Sequence, residues 1–443
     1  MQQIISKFAK LNKREENKEL VKHSFISLLV RLGGAAAAFL MNVVAARYLG
    51  AEQAGYFFLA VTVSTLIATI GRVGADQTIL RFVSVYGQQD DWNKVHAAIR
   101  KIIGWSSILL ISLTTLICVF SKQISVYLFH KPELQWPLFW CALSIPFFAI
   151  YNVHGMALQG RRKVLLSVTS LKILTPLFLM LLMFAFTPKE GTSTSIYYLI
   201  ACLINLAVAH YWWKKNTPAA SVKENFDSAE LWKSCGPLWI VAIMNVITTW
   251  GGQFIAGIFN TPEELAQLAV ARNTTLLVSF ILMAVNNVSA PRFAIMYNQG
   301  KMNQLKNYAK NTTLLMTVAA LPITLFIWFF PEFILSLFGK DFKDGAWLLR
   351  ILAAGQFVSV ISGSVGYLLN MTGHEKDMRN VMTINAILSV VLALILNPIY
   401  GAVGSALATA IGIASSNLMA VGLVKKRLGF STISIFGFKR SKE

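Results

Sequence analysis

Charge is the first scarcity in this chain. Of its 443 residues only 14% are Asp, Glu, Lys or Arg, and only 20 are acidic. A soluble domain carries about 25% charged residues, so a water-soluble globule is excluded. Cysteine is scarce too. Cys118, Cys141, Cys202 and Cys235 fall inside apolar stretches with no ligand spacing, and they read as packing residues rather than a disulfide framework or a metal site. The loops lack clustered acids with histidine, Ser/His pairs and Gly-rich phosphate loops. An ATPase and a loop-based glycosyltransferase are therefore disfavoured, and no catalytic residue, metal ligand or cofactor is assigned. The opening MQQIISKFAKLNKREENKELVK lacks the short apolar core and small-residue cleavage site of a signal peptide. It reads as a cytoplasmic amphipathic lead-in lying on a membrane surface.

What is present is apolar sequence. The chain is 55% hydrophobic, and runs of roughly 20 apolar residues, each long enough to cross a bilayer as a helix, recur along its length. The expected fold is an all-α integral membrane protein with twelve spans: 24–46, 54–78, 102–121, 136–159, 164–186, 195–213, 235–259, 265–290, 311–330, 346–371, 380–399 and 401–424. The net charge of +20 is explained by topology and does not call for nucleic acid. With the N-terminus inside, the cytoplasmic segments hold 29 of the 40 Lys and Arg and 11 acids, the external segments 6 and 8, and the spans 5 and 1. That bias is the positive-inside pattern and places both termini in the cytoplasm.

The sequence also repeats. RFVSVY (81–86) and RFAIMY (292–297) match at an offset of 211, which also lays AEQAGYFFLA (51–60) on PEELAQLAVA (262–271). QGRRK (159–163) resembles TGHEK (372–376) at an offset of 213. The expected organisation is a cytoplasmic segment 1–23, an N-lobe 24–213, a polar cytoplasmic linker 214–234, a C-lobe 235–424 and a tail 425–443. Six spans per lobe is an even number, so the repeats run parallel and face each other across a central cavity, a frame for alternating access. A single chain then supplies the whole cavity, and a monomer is expected. Repeated pore motifs of a channel are missing.

Five cations and one acid lie within the spans: Arg31, Arg72, Lys172, Arg272 and Arg350 against Asp76. Each unpaired charge at the bilayer centre costs about 2.5–3.5 kcal/mol on insertion scales. A single long side chain can snorkel to the interface, and Arg72 can pair with Asp76 four residues on. Four uncompensated positive charges point instead to a water-filled cavity with a cationic wall. Such a wall suits an anionic substrate, and phosphate or pyrophosphate fits guanidinium forks well. A proton-coupled exporter of organic cations is the alternative, and it would need Asp76 as its titrating group. Asn42 and Asn245, each in an MNV triplet, are candidates for helix packing or for contacts to sugar hydroxyls. His154 and His210 are candidate proton carriers, with packing and an interfacial aromatic belt as the plainer readings.

The residues resemble a known family. AARYLGAEQAGYFFLAVTVSTLIATIGRVGADQTILRFVSVY (45–86) is similar to the opening of bacterial oligosaccharide flippases, and APRFAIMYNQGKMNQL (290–305), LFGKDFKDGAWLLRILAAG (337–355) and NPIYGAVGSALAT (397–409) resemble later segments in order. The family is the polysaccharide transporters, the O-antigen or Wzx-type flippases, within the superfamily of multidrug, oligosaccharidyl-lipid and polysaccharide exporters. The resemblance implies two six-helix lobes around a cavity. It implies movement of undecaprenyl-pyrophosphate-linked oligosaccharide from the cytoplasmic to the periplasmic leaflet of a bacterial inner membrane, with polysaccharide polymerase machinery downstream. The related lipid II flippases line their cavity with cations on the first, second and eighth helices, where Arg31, Arg72 and Arg272 stand here. They also carry an Arg-Asp pair in the first helix and fourteen helices. Here Leu32 follows Arg31 and the spans number twelve, which favours the O-antigen branch. Membrane glycosyltransferase or polymerase activity is the least favoured reading.

Overall fold

Each apolar run forms a helix because a backbone in lipid must satisfy its own hydrogen bonds. The computed structural model describes residues 2–433 apart from 221 and 223, and leaves undescribed the side chains at 2–29, 31, 284 and 287. The first lobe holds α1 (Gln2–Gly71), α2 (Ala75–Gln88), α3 (Trp92–Val119), the short α4 (Ser121–Gln123), α5 (Gln135–Leu143), α6 (Ile145–Gly160), α7 (Val164–Val168), α8 (Thr175–Phe186) and α9 (Gly191–Asn216). The second holds α10 (Ser228–Phe259), α11 (Pro262–Asn298), α12 (Met302–Phe329), α13 (Pro331–Ser336), α14 (Ala346–Ser362), α15 (Val365–Met371) and α16 (Glu375–Leu428). Among the described residues ten helical stretches are long and apolar enough to cross a membrane.

Two of those ten fold back on themselves, which restores twelve crossings. In α1 the backbone leaves helical geometry at Gly50, with φ 71°. On one side Tyr48 meets Phe184, on the other Gln53 accepts from the Gly191 N–H. Both contacts lie at one end of the bundle, while Gly34 and Ile70 reach the other. In α16 the reversal is at Gly401, with φ 56°. Gly404 abuts the Leu396 carbonyl, Gly412 the Ser389 hydroxyl, and Ser415 bonds Asn385, the pairing of an antiparallel hairpin.

The second span ends earlier than its hydropathy indicates. The expected span 54–78 stops at Gly71, and Arg72-Val73-Gly74 form a break before α2. Val73 has φ 50° and Gly74 φ 71°, positions that end a right-handed helix. The Ile70 carbonyl, which a continuous helix would offer to Gly74, instead accepts from the Val73 N–H at 3.3 Å and from the Trp239 indole at 2.8 Å. Elsewhere the helices outrun the expected spans at the basic end. At that end Asp91 caps α3 through the Lys94 N–H, while at the far end α11 starts with a Thr261/Glu264 capping box.

The backbone repeats as the sequence does. Asp90 and Gly300 take left-handed geometry in the α2–α3 and α11–α12 turns. Arg162 and Gly373 do so in matching turns, where Lys163 N–H reaches Leu158 O at 3.0 Å and His374 N–H reaches Leu369 O at 2.9 Å. Each member of that second turn lies 211 residues from its counterpart, the offset of the RF motifs, so the match of QGRRK to TGHEK at 213 is two residues out of the structural register.

The two ends of the molecule are built differently. One apolar core spans both lobes at the end away from the basic loops, joining Phe57, Leu138 and Tyr198 with Leu265, Phe338 and Leu349. Lys131 Nζ donates across it to Gly257 O at 2.8 Å, and Arg47 Nε to Leu337 O at 2.7 Å. At the basic end the core divides. One cluster gathers Ile79, Phe82 and Ile99 of the first lobe with Phe226, Leu231 and Cys235; the other gathers Phe293, Leu305, Leu368 and Val424 of the second. The lobes thus share one core at the far end, whereas at the basic end the start of α10 packs on the first lobe and the rest of the second lobe forms its own cluster. The connection between the lobes is held to the first lobe at Phe226, which packs on Phe82 and Tyr86 and whose carbonyl accepts from Lys101 Nζ at 2.7 Å.

Candidate functional site

Two cavities lie along the lobe seams and another lies within the second lobe, and they share lining residues. The first, about 430 Å³, is lined by Gly34, Ala38 and Asn42 of α1, Gln159 of α6, Lys172, and Asn273 and Leu276 of α11. The second, about 240 Å³, sits among α10, α11, α14 and α16, and its polar lining includes Thr249, Gln253, Arg272, Gln356, Asn385 and Ser389. The third, about 410 Å³, lies between the α1–α2 break and α10, lined by Thr69, Asp76, Gln77, Asn245 and Thr249 among others. Leu276 is common to the first and second, Thr249 to the second and third. Arg272 stands between those two junctions.

Arg272 has an unusual set of partners. One Nη donates to the Thr249 carbonyl, the other to Gln253 Oε1 at 3.5 Å, and the guanidinium lies 4.9 Å from the Trp250 ring centre. The ion pairs among the described residues are Arg72–Asp76, Lys94–Asp91 and Arg427–Asp377. Arg272 therefore keeps its charge against neutral acceptors and a ring face, a cation left available to an incoming anion.

Arg72 is arranged otherwise. Its Nε lies 3.0 Å from Asp76, an Nη donates to Thr69 Oγ1 at 3.2 Å, and the guanidinium sits 5.8 Å from the Phe148 ring centre. The other Nη is buried with no hydrogen bond. Asp76 also faces the third cavity, so the pair closes the break at its rim. Lys172 reaches the first cavity from a π-turn, Thr169–Leu174, between α7 and α8. Arg350 is placed apart from the three cavities. Its Nε donates to Trp328 O at 3.1 Å and its guanidinium lies 5.1 Å from the Trp347 ring centre, near the far-end start of α14. The Arg31 side chain lies outside the described residues.

Of the amides, Asn42 lines the first cavity and spends one N–H on Ala38 O at 2.7 Å. Asn245 lines the third, on the opposite seam. The structure brings Asn42 and Lys172 together, and separately Asp76 and Asn245. It also adds cavity residues that sequence reasoning passed over: Gln159, Gln253, Asn273, Gln356 and Asn385. The usable signal is amides inside apolar helices, the signal that singles out Asn42 and Asn245 and that Asn286 and Asn287 of α11 also carry. Asn286 is buried with Oδ1 unbonded, and the Asn287 side chain lies outside the described residues. His154 Nε2 and His210 Nδ1 face each other at 3.3 Å, away from all three cavities. Among the described residues no three His, Cys, Asp or Glu gather to hold a metal.

Comparison with known proteins places this architecture. A family model described as polysaccharide biosynthesis protein matches residues 20–297, and one described as MatE matches 238–399. The probable low-salt glycan biosynthesis flippase Agl15 of Haloferax volcanii is 22% identical over 445 residues, covering 95% of this chain and 90% of that protein. The lipid II flippase MurJ in its inward closed conformation has a TM-score of 0.71 at 18% identity, over 91% of this chain and 87% of that one. An inward-facing multidrug resistance MATE family transporter of the MOP superfamily has a TM-score of 0.72 at 16% identity, over 91% and 98%. Such identities establish a shared fold.

Proposed function

Because this chain belongs to the polysaccharide biosynthesis protein family, within the superfamily of multidrug, oligosaccharidyl-lipid and polysaccharide exporters, we propose that it flips a lipid-linked glycan between membrane leaflets. The observation that carries this reading is Arg272, a guanidinium lining the second-lobe cavity beside Thr249 and Leu276, which that cavity shares with the two seam cavities, and held by neutral partners. Charge in a membrane is costly unless it serves a ligand. A phosphate or pyrophosphate headgroup would bind Arg272 and Lys172, with Arg31 and Arg72 at the approaches. The amides of Asn42, Gln159 and Asn273 would meet sugar hydroxyls, and the polyprenyl tail would stay in the bilayer outside the seam. Arg350 serves this reading as a rim anchor.

The continuous core at the far end, against two clusters at the basic end bridged by the start of α10, supports the basic end as the open one. With the basic loops and both termini in the cytoplasm, the cavity would accept substrate from the inner leaflet of a bacterial cytoplasmic membrane. The substrate is then an undecaprenyl-pyrophosphate oligosaccharide of O-antigen type, delivered by a monomer to polymerase machinery on the other side. Rocking of the lobes about the far-end core would complete the cycle by alternating access.

Cation export is the second reading, favoured by the likeness to a multidrug transporter. It relies on Asp76, whose carboxylate is held by Arg72. Deleting the gene in its host and assaying lipid-linked oligosaccharide by leaflet separates the two. Accumulation on the cytoplasmic side with loss of surface polysaccharide is expected. Normal intermediates, together with lost resistance to cationic compounds that Asp76→Asn also removes, would establish the second reading instead.

A further inference from the structure

Lys172 reaches the first cavity through a departure from regular helix. Residues Thr169–Leu174 form a π-turn between α7 and α8. A π-turn inserts one extra residue, costs hydrogen-bond geometry, and persists where something outside the helix supports it. Here the support is Asn205 of α9, fully buried. Its Nδ2 donates to Ser170 O and to Thr175 Oγ1, both at 2.9 Å, and its Oδ1 accepts from Ser170 Oγ at 3.2 Å. Three bonds from one amide thus span the turn from its second residue to the residue just beyond it. On the other flank Gly34 leaves room for the lysine, since a Cβ there would lie 2.7 Å from Lys172 Cβ. Among the described residues the matching position of the second lobe lacks this device. The position 211 residues on is Thr383, within a regular arm of α16 whose hydroxyl bonds back to Arg379 O.

We propose that Asn205 is a positioning residue for the headgroup site: it clamps the π-turn so that Lys172 presents its ammonium to the anionic phosphate of the substrate in the first cavity. This rests on the flippase reading for the identity of the anion, but not for the geometry. Without the clamp the extra residue is absorbed, the turn relaxes to α-helix, and about 100° of rotation per residue carries position 172 off the cavity.

The test reads position 172 without any substrate. Lys172→Cys is made in the full chain, purified into phosphatidylglycerol nanodiscs, and treated with a charged methanethiosulfonate, with the native cysteines' reactivity measured in the parent. Asn205→Leu is then added. Asn273→Cys, in the same cavity but on α11, is the control. The expected result is rapid labelling of Lys172→Cys, slowed at least about tenfold by Asn205→Leu because buried hydrogen bonds each shift a two-state equilibrium severalfold, with Asn273→Cys unaffected. Should Asn205→Leu fail to insert, Thr175→Val removes one clamp bond and is expected to slow labelling about threefold. Equal labelling with and without the clamp would overturn the inference alone. No labelling at 172 with Asn205 in place would overturn it together with the aqueous cavity. Labelling that follows the clamp, with no loss of flipping in Lys172→Ala, would keep the clamp and overturn its role in headgroup binding.

Discussion

Arg272 shows how a charge is kept ready inside a membrane protein. Its N–H groups meet a carbonyl and an amide, and its plane meets Trp250, so it is solvated without being neutralised. Replacing it with alanine is expected to lower glycan flipping at least about tenfold at unchanged membrane level, as loss of one charge-assisted contact does. Arg272→Lys should recover only part, because an ammonium cannot both lie flat on the indole and fork to two acceptors. A leaflet assay with an immunoblot checks both. Asp76 has the opposite task. Asp76→Asn leaves the nearly buried Arg72 without its counter-charge and should cost about 1–3 kcal/mol in detergent unfolding, less than the roughly 3–5 kcal/mol of a fully buried pair because Asp76 is partly exposed. The Arg72–Asp76 pair was readable from spacing alone, since residues four apart share a helix face. The fate of Arg350 was not. Depth along a helix is visible in sequence, but the direction a side chain faces depends on Trp328, 22 residues earlier on another helix.

At the scale of elements, hydropathy located all twelve crossings, because length and apolarity are what the bilayer demands. The reversal at Gly50 is marked by Arg47, Glu52 and Gln53, whereas the one at Gly401 has no polar loop to mark it. The hairpin of α16 depends on glycine for close approach. Gly404→Ala would drive a methyl into the Leu396 carbonyl, and backbone cannot yield as a side chain can. Loss of folded protein by fluorescence size-exclusion is expected, whereas Gly422→Ala, with open space at its Cβ, should be silent. The break at Arg72-Val73-Gly74 escaped sequence reading for a plain reason. The donor that holds it open, Trp239, is 169 residues away. The π-turn at Lys172 escaped for the same reason, its clamp being on α9.

Over the whole molecule the lobes meet through close contacts at the far end. Gly55 lies against the Pro262 carbonyl of the other lobe. Gly55→Ala should wedge that seam apart and bias the protein toward far-end opening, read as a longer distance between spin labels at 53 and 343. Lys131 spans the same seam. Burial lowers its proton affinity, with Glu264 acting the other way. A lysine whose pKa falls on closing releases its proton on closing, so raising pH toward the ordinary lysine range should favour the closed end. Lys131→Met should remove that dependence in the same distance measurement.

The shared apolar core at the far end has a thermal consequence. Opening that end would hydrate groups such as Phe338 and Leu138, both fully buried while it is closed. Exposing apolar surface raises heat capacity, and its free-energy cost falls on cooling. The equilibrium between the two orientations is therefore curved in temperature, with the cold favouring the orientation in which the lobes part at the far end.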